Sequence, residues 1–318
     1  MSVSTCQWVC LGVLISGLRL FVPSVCAQQL AVEPKEEAET LADPRAMEFY
    51  GKAVTVVNLP IEEVVHRIPH LRGMEIAERQ DELADILDQT GKTVASFFKS
   101  FPNTACEERI SDEFDISGRM IQPGNSQAFR YLALNRPSAN STPLVEFRTD
   151  SRGNPAAPSG FLVTKGFVST EAIFHPENRS EAVFRLLGRQ RVKGRGIYIV
   201  GFAQIPGKAR LVGKAEFGGM NYVLTLLQGV AWIDGENYQI VRMYTDLLAP
   251  RPDVGLKQES TDLTYEKVQF KTDSAPLWLP HQVVVTERVR DQTYRNVHTY
   301  SDFRVFKVET GEKRQPVK

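Results

Sequence analysis

The sequence has no excess of charge of either sign: 38 Lys and Arg stand against 38 Asp and Glu in 318 residues. A neutral chain projects no long-range field toward polyanions, and the clustered basic footprint of a nucleic-acid binder is missing. Nucleic acid is excluded as a partner. Cysteine is scarce as well. Of four, Cys6, Cys10 and Cys26 fall near the N-terminus, leaving Cys106 alone in the rest of the chain. A lone thiol closes no internal disulfide and builds no cysteine-based zinc site, so an ordinary hydrophobic core must hold the fold.

Catalytic signatures are also lacking. "TGKT" (90–93) has Ile86 where a phosphate loop needs its first Gly, and it lies inside a helical pattern rather than after a strand. His66 and His70 have the i, i+4 spacing of zinc-binding helices, but Pro69 intervenes and no Glu follows His66. There is no GxSxG elbow and no GxGxxG, and no cofactor or metal is implied. His175, His281 and His298 read as surface or cross-strand residues. "CEERISDEFD" (106–115) alternates in a way that reads as a solvated strand face. Carboxylates paired only in space would leave a hydrolase as one reading, since glycosidase acids need spatial rather than sequence proximity.

What is present begins with "WVCLGVLISGL" (8–18), an apolar core followed by "LFVPSVCAQQ" (20–29), with Val25 and Ala27 at the −3 and −1 positions of a secretory cleavage site. Residues 1–27 therefore read as a signal peptide cut before Gln28. An uncleaved anchor is the rival, against which Arg19 would sit in mid-span. Residues 28–58 read as an acidic tether, 59–102 as a helical segment, 103–309 as an antiparallel half-barrel and 310–318 as a tail.

Within the helical segment, "LPIEEVVHRIPHL" (59–71) places Pro60 in a first turn and stops before Pro69, with Ile61, Val64, Val65 and Ile68 inward. Over 75–101, Leu83, Leu87, Thr90, Val94, Phe97 and Phe101 recur at alternating spacings of four and three, one stripe of a helix that Pro102 ends. From Asn103 the period becomes two, through "TACEERIS", "AFRYLAL" and "LVEFRTD". A short helix near "STEAIF" (169–174) interrupts before a meander from "VFRLLGRQRV" to "QTYRNVHTYSDFRVFKVE". Short returns between these runs imply neighbouring antiparallel strands. "GVAWIDGENYQIVRMYTDLL" (229–248) reads as a hairpin in which Asp234 and Gly235 supply a tight turn. Helices followed by a meander make an α+β fold, a strongly curved antiparallel sheet with N-terminal helices packed on it or capping it.

An exported chain with an N-terminal helix, a meander and the "AWID…YQIVRM" hairpin resembles the LolA/LolB-like superfamily, over roughly residues 75–308. That superfamily includes outer-membrane lipoprotein carriers, lipoprotein-sorting-protein homologues and the sigma-factor regulator RseB. More closely, "FFKSFPNTACEERI" (97–110), the hairpin and "PLWLPHQVVVTERVRDQTYRNVHTYSDFRVF" (276–306) resemble uncharacterised exported proteins of Acidobacteria. The resemblance implies an unclosed β-barrel with helices as a lid and a cavity that takes acyl chains. No acyl-contacting residue of the carriers matches a position here. The side chains of the helical stripe and the strands, Phe97, Phe101, Trp232, Met243 and Trp278, are the candidates to line such a cavity. The expected function is non-enzymatic binding of a lipid, or of a lipoprotein acyl chain, in the periplasm or cell envelope. The alternative is an envelope sensor or scaffold that docks a protein partner.

Overall fold

A computed structural model of the chain describes residues 25–26, 31–32, 44–115, 121–135, 144–156, 166–217, 221–270 and 276–306. Its N-terminal part holds β1 (Val25–Cys26), β2 (Ala31–Val32), α1 (Pro44–Gly51), α2 (Ile61–Arg67), β3 (Glu75–Ile76) and α3 (Leu83–Ser100). Strands β4 (Thr104–Asp115), β5 (Ile121–Asn135) and β6 (Leu144–Thr149) follow. A 3-10 turn, Thr170–Phe174, precedes β7 (Ala182–Val192) and β8 (Arg195–Gln204). The chain continues through β9 (Leu211–Phe217), β10 (Asn221–Thr225), β11 (Leu227–Asp234) and β12 (Ile240–Leu247). It ends in β13 (Leu256–Val268), β14 (Leu277–Val289) and β15 (Gln292–Val305).

Eleven strands form one antiparallel sheet in the order β3-β7-β8-β11-β12-β13-β14-β15-β4-β5-β6. It is strongly curved and unclosed, since β3 and β6 are its two ends. The fold is α+β, as the change of period predicts. Strands β9 and β10 make a separate hairpin, with β1 and β2 paired on β9. The expected presequence and tail otherwise lie outside the described residues, as does the cleavage point after Ala27.

Helices cover both faces of the sheet. On the inner face, α3 buries Ile86, Leu87, Thr90, Val94, Phe97 and Phe98. They pack with Val200, Ala231, Ile233, Met243, Val283 and Val285 from the strands. On the outer face, Ile61, Val64 and Ile68 of the α2 region pack on Leu187, Ile199, Val230 and Trp232. The sequence alternation produces this division directly. Successive strand residues point to opposite faces, so Val230 and Trp232 enter the outer core while Ala231 and Ile233 enter the inner one.

Three local expectations change. The segment expected to be a tether is folded from Pro44 onward. Ala46, Tyr50, Val56 and Val57 are buried, the Tyr50 hydroxyl donates to Leu224 O at 3.1 Å, and Val56 N–H donates to Gln228 Oε1 at 2.8 Å. Helix α3 starts at Leu83 rather than at 75, because Glu75 and Ile76 pair with Arg189 and Gly188 of β7. Gly188 permits this approach, since a Cβ there would lie 2.1 Å from Glu75 O. Just beyond, the Gln80 amide donates to Leu186 O at 2.9 Å and accepts from Leu186 N–H at 2.8 Å, so a side chain blunts the β7 edge. The β11–β12 connection is longer than a two-residue turn. Its left-handed residue is Tyr238, at φ 58. Gly235 serves close approach instead, as a Cβ there would lie 2.9 Å from Gly196 O. Asp234 does bond the loop backbone, accepting from Glu236 N–H at 2.9 Å.

Candidate functional site

The space between α3 and the sheet is filled. Phe97 stacks edge-on against Phe98 and Phe101, with centroids 5.3 and 5.1 Å away. Phe174 from the 3-10 turn meets Phe202 of β8 at 5.8 Å. Phe97, Phe101 and Met243 are thus brought together in the inner core. Trp232 is not with them: one residue out of phase with Ala231 and Ile233, it faces the outer core. Trp278 is half-buried, packs against the inner core and also lines a cleft that contains Trp232.

Beside the apolar core, the inner face carries buried charge that period-two reading assigned to solvent. Glu108 is fully buried, and Asp112 on the same row of β4 is buried too. Arg148 of β6 grips Glu108 through Nε and Nη2, at 2.5 and 2.7 Å. The Tyr300 hydroxyl donates to Glu108 Oε1 at 2.9 Å, and His298 Nδ1 lies 2.9 Å from the same oxygen. Burial alone would raise the Glu108 carboxyl, but Arg148 and His298 override it and hold it at about 2. Burial pushes His298 below its ordinary value, against the pull of Glu108. The neutral ring with its proton on Nδ1 donates to the carboxylate. His298 is therefore a cross-strand partner, and an interior one.

A second carboxylate anchors the segment that covers this cluster. Glu146 accepts from the Tyr131 hydroxyl at 2.5 Å and the Ser169 hydroxyl at 2.6 Å. It also accepts from the N–H groups of Val168 and Ser169, at 3.2 and 3.1 Å. Burial raises Glu146 above the usual range, and these bonds offset part of the rise. The adjoining Glu171 has no hydrogen-bond partner on either oxygen among the described residues, and burial pushes it up to about 8.

Further along the inner face, Glu259 of β13 and Glu287 of β14 are direct register partners, both fully buried. Burial, and then the facing Glu259, push Glu287 well above the carboxylate range. These acids are paired in space as the hydrolase reading requires, but they are enclosed by the sheet core instead of lining an open cleft. Among the described residues, no group of three or more His, Cys, Asp or Glu is placed to hold a metal. His70, one half of the rejected zinc spacing, points to Asp262 with Nε2 at 3.4 Å.

The largest described opening is an outer-face cleft of about 940 Å³, between the turn joining β7 to β8 and the facing ends of β13 and β14. Its floor includes Trp232, Val241 and Arg242, and Trp278 stands at its side. The Arg242 guanidinium lies 5.2 Å over the Trp232 ring and is held by Asp262 at 2.8 and 2.5 Å.

No protein-family model matches the chain, and no curated protein matches it. Solved structures do. LolA-type chains are among the structures to which this chain is similar. A DUF1329 family protein from Desulfovibrio piger is 14% identical, covers 71% of this chain and 93% of its own, and gives a TM-score of 0.36. A chain described as an outer membrane lipoprotein-sorting protein domain, from Vibrio parahaemolyticus, is 11% identical over 68% of this chain and 92% of its own, with a TM-score of 0.36. A LolA superfamily protein from Nitrosomonas europaea is 11% identical over 71% and 94%, with a TM-score of 0.33. The fold is defined here by the strand order described above.

Proposed function

We propose that the protein is an exported, non-catalytic binding protein of the periplasm or cell envelope, which receives a lipid or the acyl chain of a lipidated partner between α3 and the inner face of the sheet. One observation carries this reading: an unclosed sheet presents an apolar inner face whose cover is a helix, with an aromatic cluster at the helix end. A helix held by side-chain packing can move aside without breaking strand pairs. Each methylene transferred into that interior contributes about 0.8 kcal/mol, so no covalent step is needed to hold a chain. Among the described residues no helix is long and apolar enough to cross a membrane.

Native mass spectrometry of the protein purified from envelope extract should find a co-purified lipid. A fluorescent fatty acid should bind the wild type, and Phe97→Ala, which opens the end of α3, should change its affinity severalfold while costing less than the about 3–5 kcal/mol of a fully packed aromatic. No binding to the wild type, together with a full-sized melting loss in the variant, would remove the carrier reading. That outcome would leave standing the second reading, an envelope scaffold that docks a protein partner.

A further inference from the structure

The outer-face cleft lies across the sheet from the space under α3, and its chemistry is different. Lys193 and Arg195 stand at one wall, Lys267 at the other, and Arg242 on the floor, against two carboxylates, Asp234 and Glu266. Asp234 is paired with a cation, and Glu266 meets a histidine that is charged only when protonated. Arg195 Nη1 lies 3.0 Å from Asp234 Oδ2, and His281 Nδ1 lies 3.0 Å from Glu266 Oε2. Lys193 and Lys267 are exposed, and no carboxylate partner accompanies either among the described residues. The Arg242 guanidinium is fixed between the Trp232 ring and Asp262, so it needs little ordering to meet a ligand. Half-buried Val241 and Trp278 leave apolar surface between these cations.

We propose that this cleft is a second binding site, for an anionic amphiphile: a single molecule with a phosphate or carboxylate on an apolar body. The apolar body lies against Trp278 and Val241, and the anion takes the cations that the protein leaves uncompensated. Opposite sign and a concave, partly aromatic wall select this occupant over a flat bilayer or a neutral hydrocarbon. The inference does not rest on acyl binding under α3, because that space lies on the other face of the sheet.

The test titrates the protein with dodecyl phosphate and with dodecanol, both below the concentrations at which they aggregate. Tryptophan fluorescence is the readout, since Trp278 and Trp232 are both at the cleft. Dodecyl phosphate should bind about tenfold more tightly than dodecanol, a ratio that two partly exposed charge-assisted contacts can supply. Added salt should narrow the ratio. Lys193→Gln combined with Lys267→Gln should abolish it, and neither exposed lysine contributes packing that the fold requires. Phe97→Ala should leave it intact. Equal binding of the two probes, or a ratio that survives the double lysine variant, overturns the cleft proposal without touching the reading for α3. A ratio lost in Phe97→Ala but kept in the lysine variant moves the anion site to the inner face and overturns it as well.

Discussion

Glu108 and Glu287 occupy the same inner face of the same sheet, equally buried, yet they end in opposite states. Glu108 has Arg148, His298 and Tyr300 around it and is held at about 2. Glu287 faces Glu259 across β13 and Tyr294 across β15, and is pushed well above the carboxylate range. Burial penalises the charged form at both sites. What differs is whether a cation sits within reach to reverse the penalty. One end of the interior is thus an ionised, hydrogen-bonded clamp, and at the other burial, and then the facing Glu259, keep Glu287 neutral.

Breaking the clamp should have the largest effect. Arg148→Met leaves Glu108 buried without its cation and should cost about 3–5 kcal/mol at neutral pH by urea denaturation. Adding Glu108→Gln should recover much of that loss, because the stranded charge is gone. A loss under about 1 kcal/mol for the single variant would mean that the pair is solvated after all.

The second comparison is in pH. Glu287 keeps its proton in the folded chain, while in the unfolded chain it ionises near the ordinary value of 4.5. Its contribution is fully present below that value and declines by up to about 1.4 kcal/mol per unit as pH rises toward the folded value. Glu108 runs the other way: its contribution is present above 4.5 and is lost as pH falls toward about 2. Glu287→Gln should therefore raise stability at pH 7 more than at pH 5. Equal urea midpoint shifts at both values would contradict a proton held at this position.

The smallest effect belongs to Cys106, on the clamp row two residues before Glu108. It is buried, and burial and then the nearby Glu108 push the thiol up. Cys106→Ser should cost about 1 kcal/mol, since a buried Cys acts as a small hydrophobe. Ellman's reagent should label the native thiol only slowly. Fast labelling would show that the clamp row opens readily.

How much of this was legible depended on whether a signal was local. Helix α3, α2 with Ile61, Val64 and Ile68 buried, and the long meander follow from spacing and proline stops, and the 3-10 turn at 170–174 falls where a short helix is expected. Strands β9 and β10 were missed, as was the folding of 44–58. The latter gains order by covering hydrophobic residues on the outer face of β8 and β11. Of the candidate residues, Trp232 shows the limit most clearly. Its aromatic character is plain in the sequence, but the face it occupies depends on the register of β11 against β8 and β12.

The sequence by itself determined the α+β order, the change from helical to strand period, the lone thiol and the balance of charge, because each is a property of neighbouring residues. Only the tertiary structure decided that the acids on the more apolar row of "CEERISDEFD", Glu108 and Asp112 beside Cys106 and Ile110, go inside. Alternation separates the two rows without saying what would offset a buried acid. Glu108 can go inside because Arg148 lies 40 positions away and His298 lies 190 away along the chain. Glu287 goes inside without such a partner among the described residues, because its strand row is fixed by Val283 and Val285, which fill the inner core. Pairing of charge across such distances is set by register, and register belongs to the folded sheet.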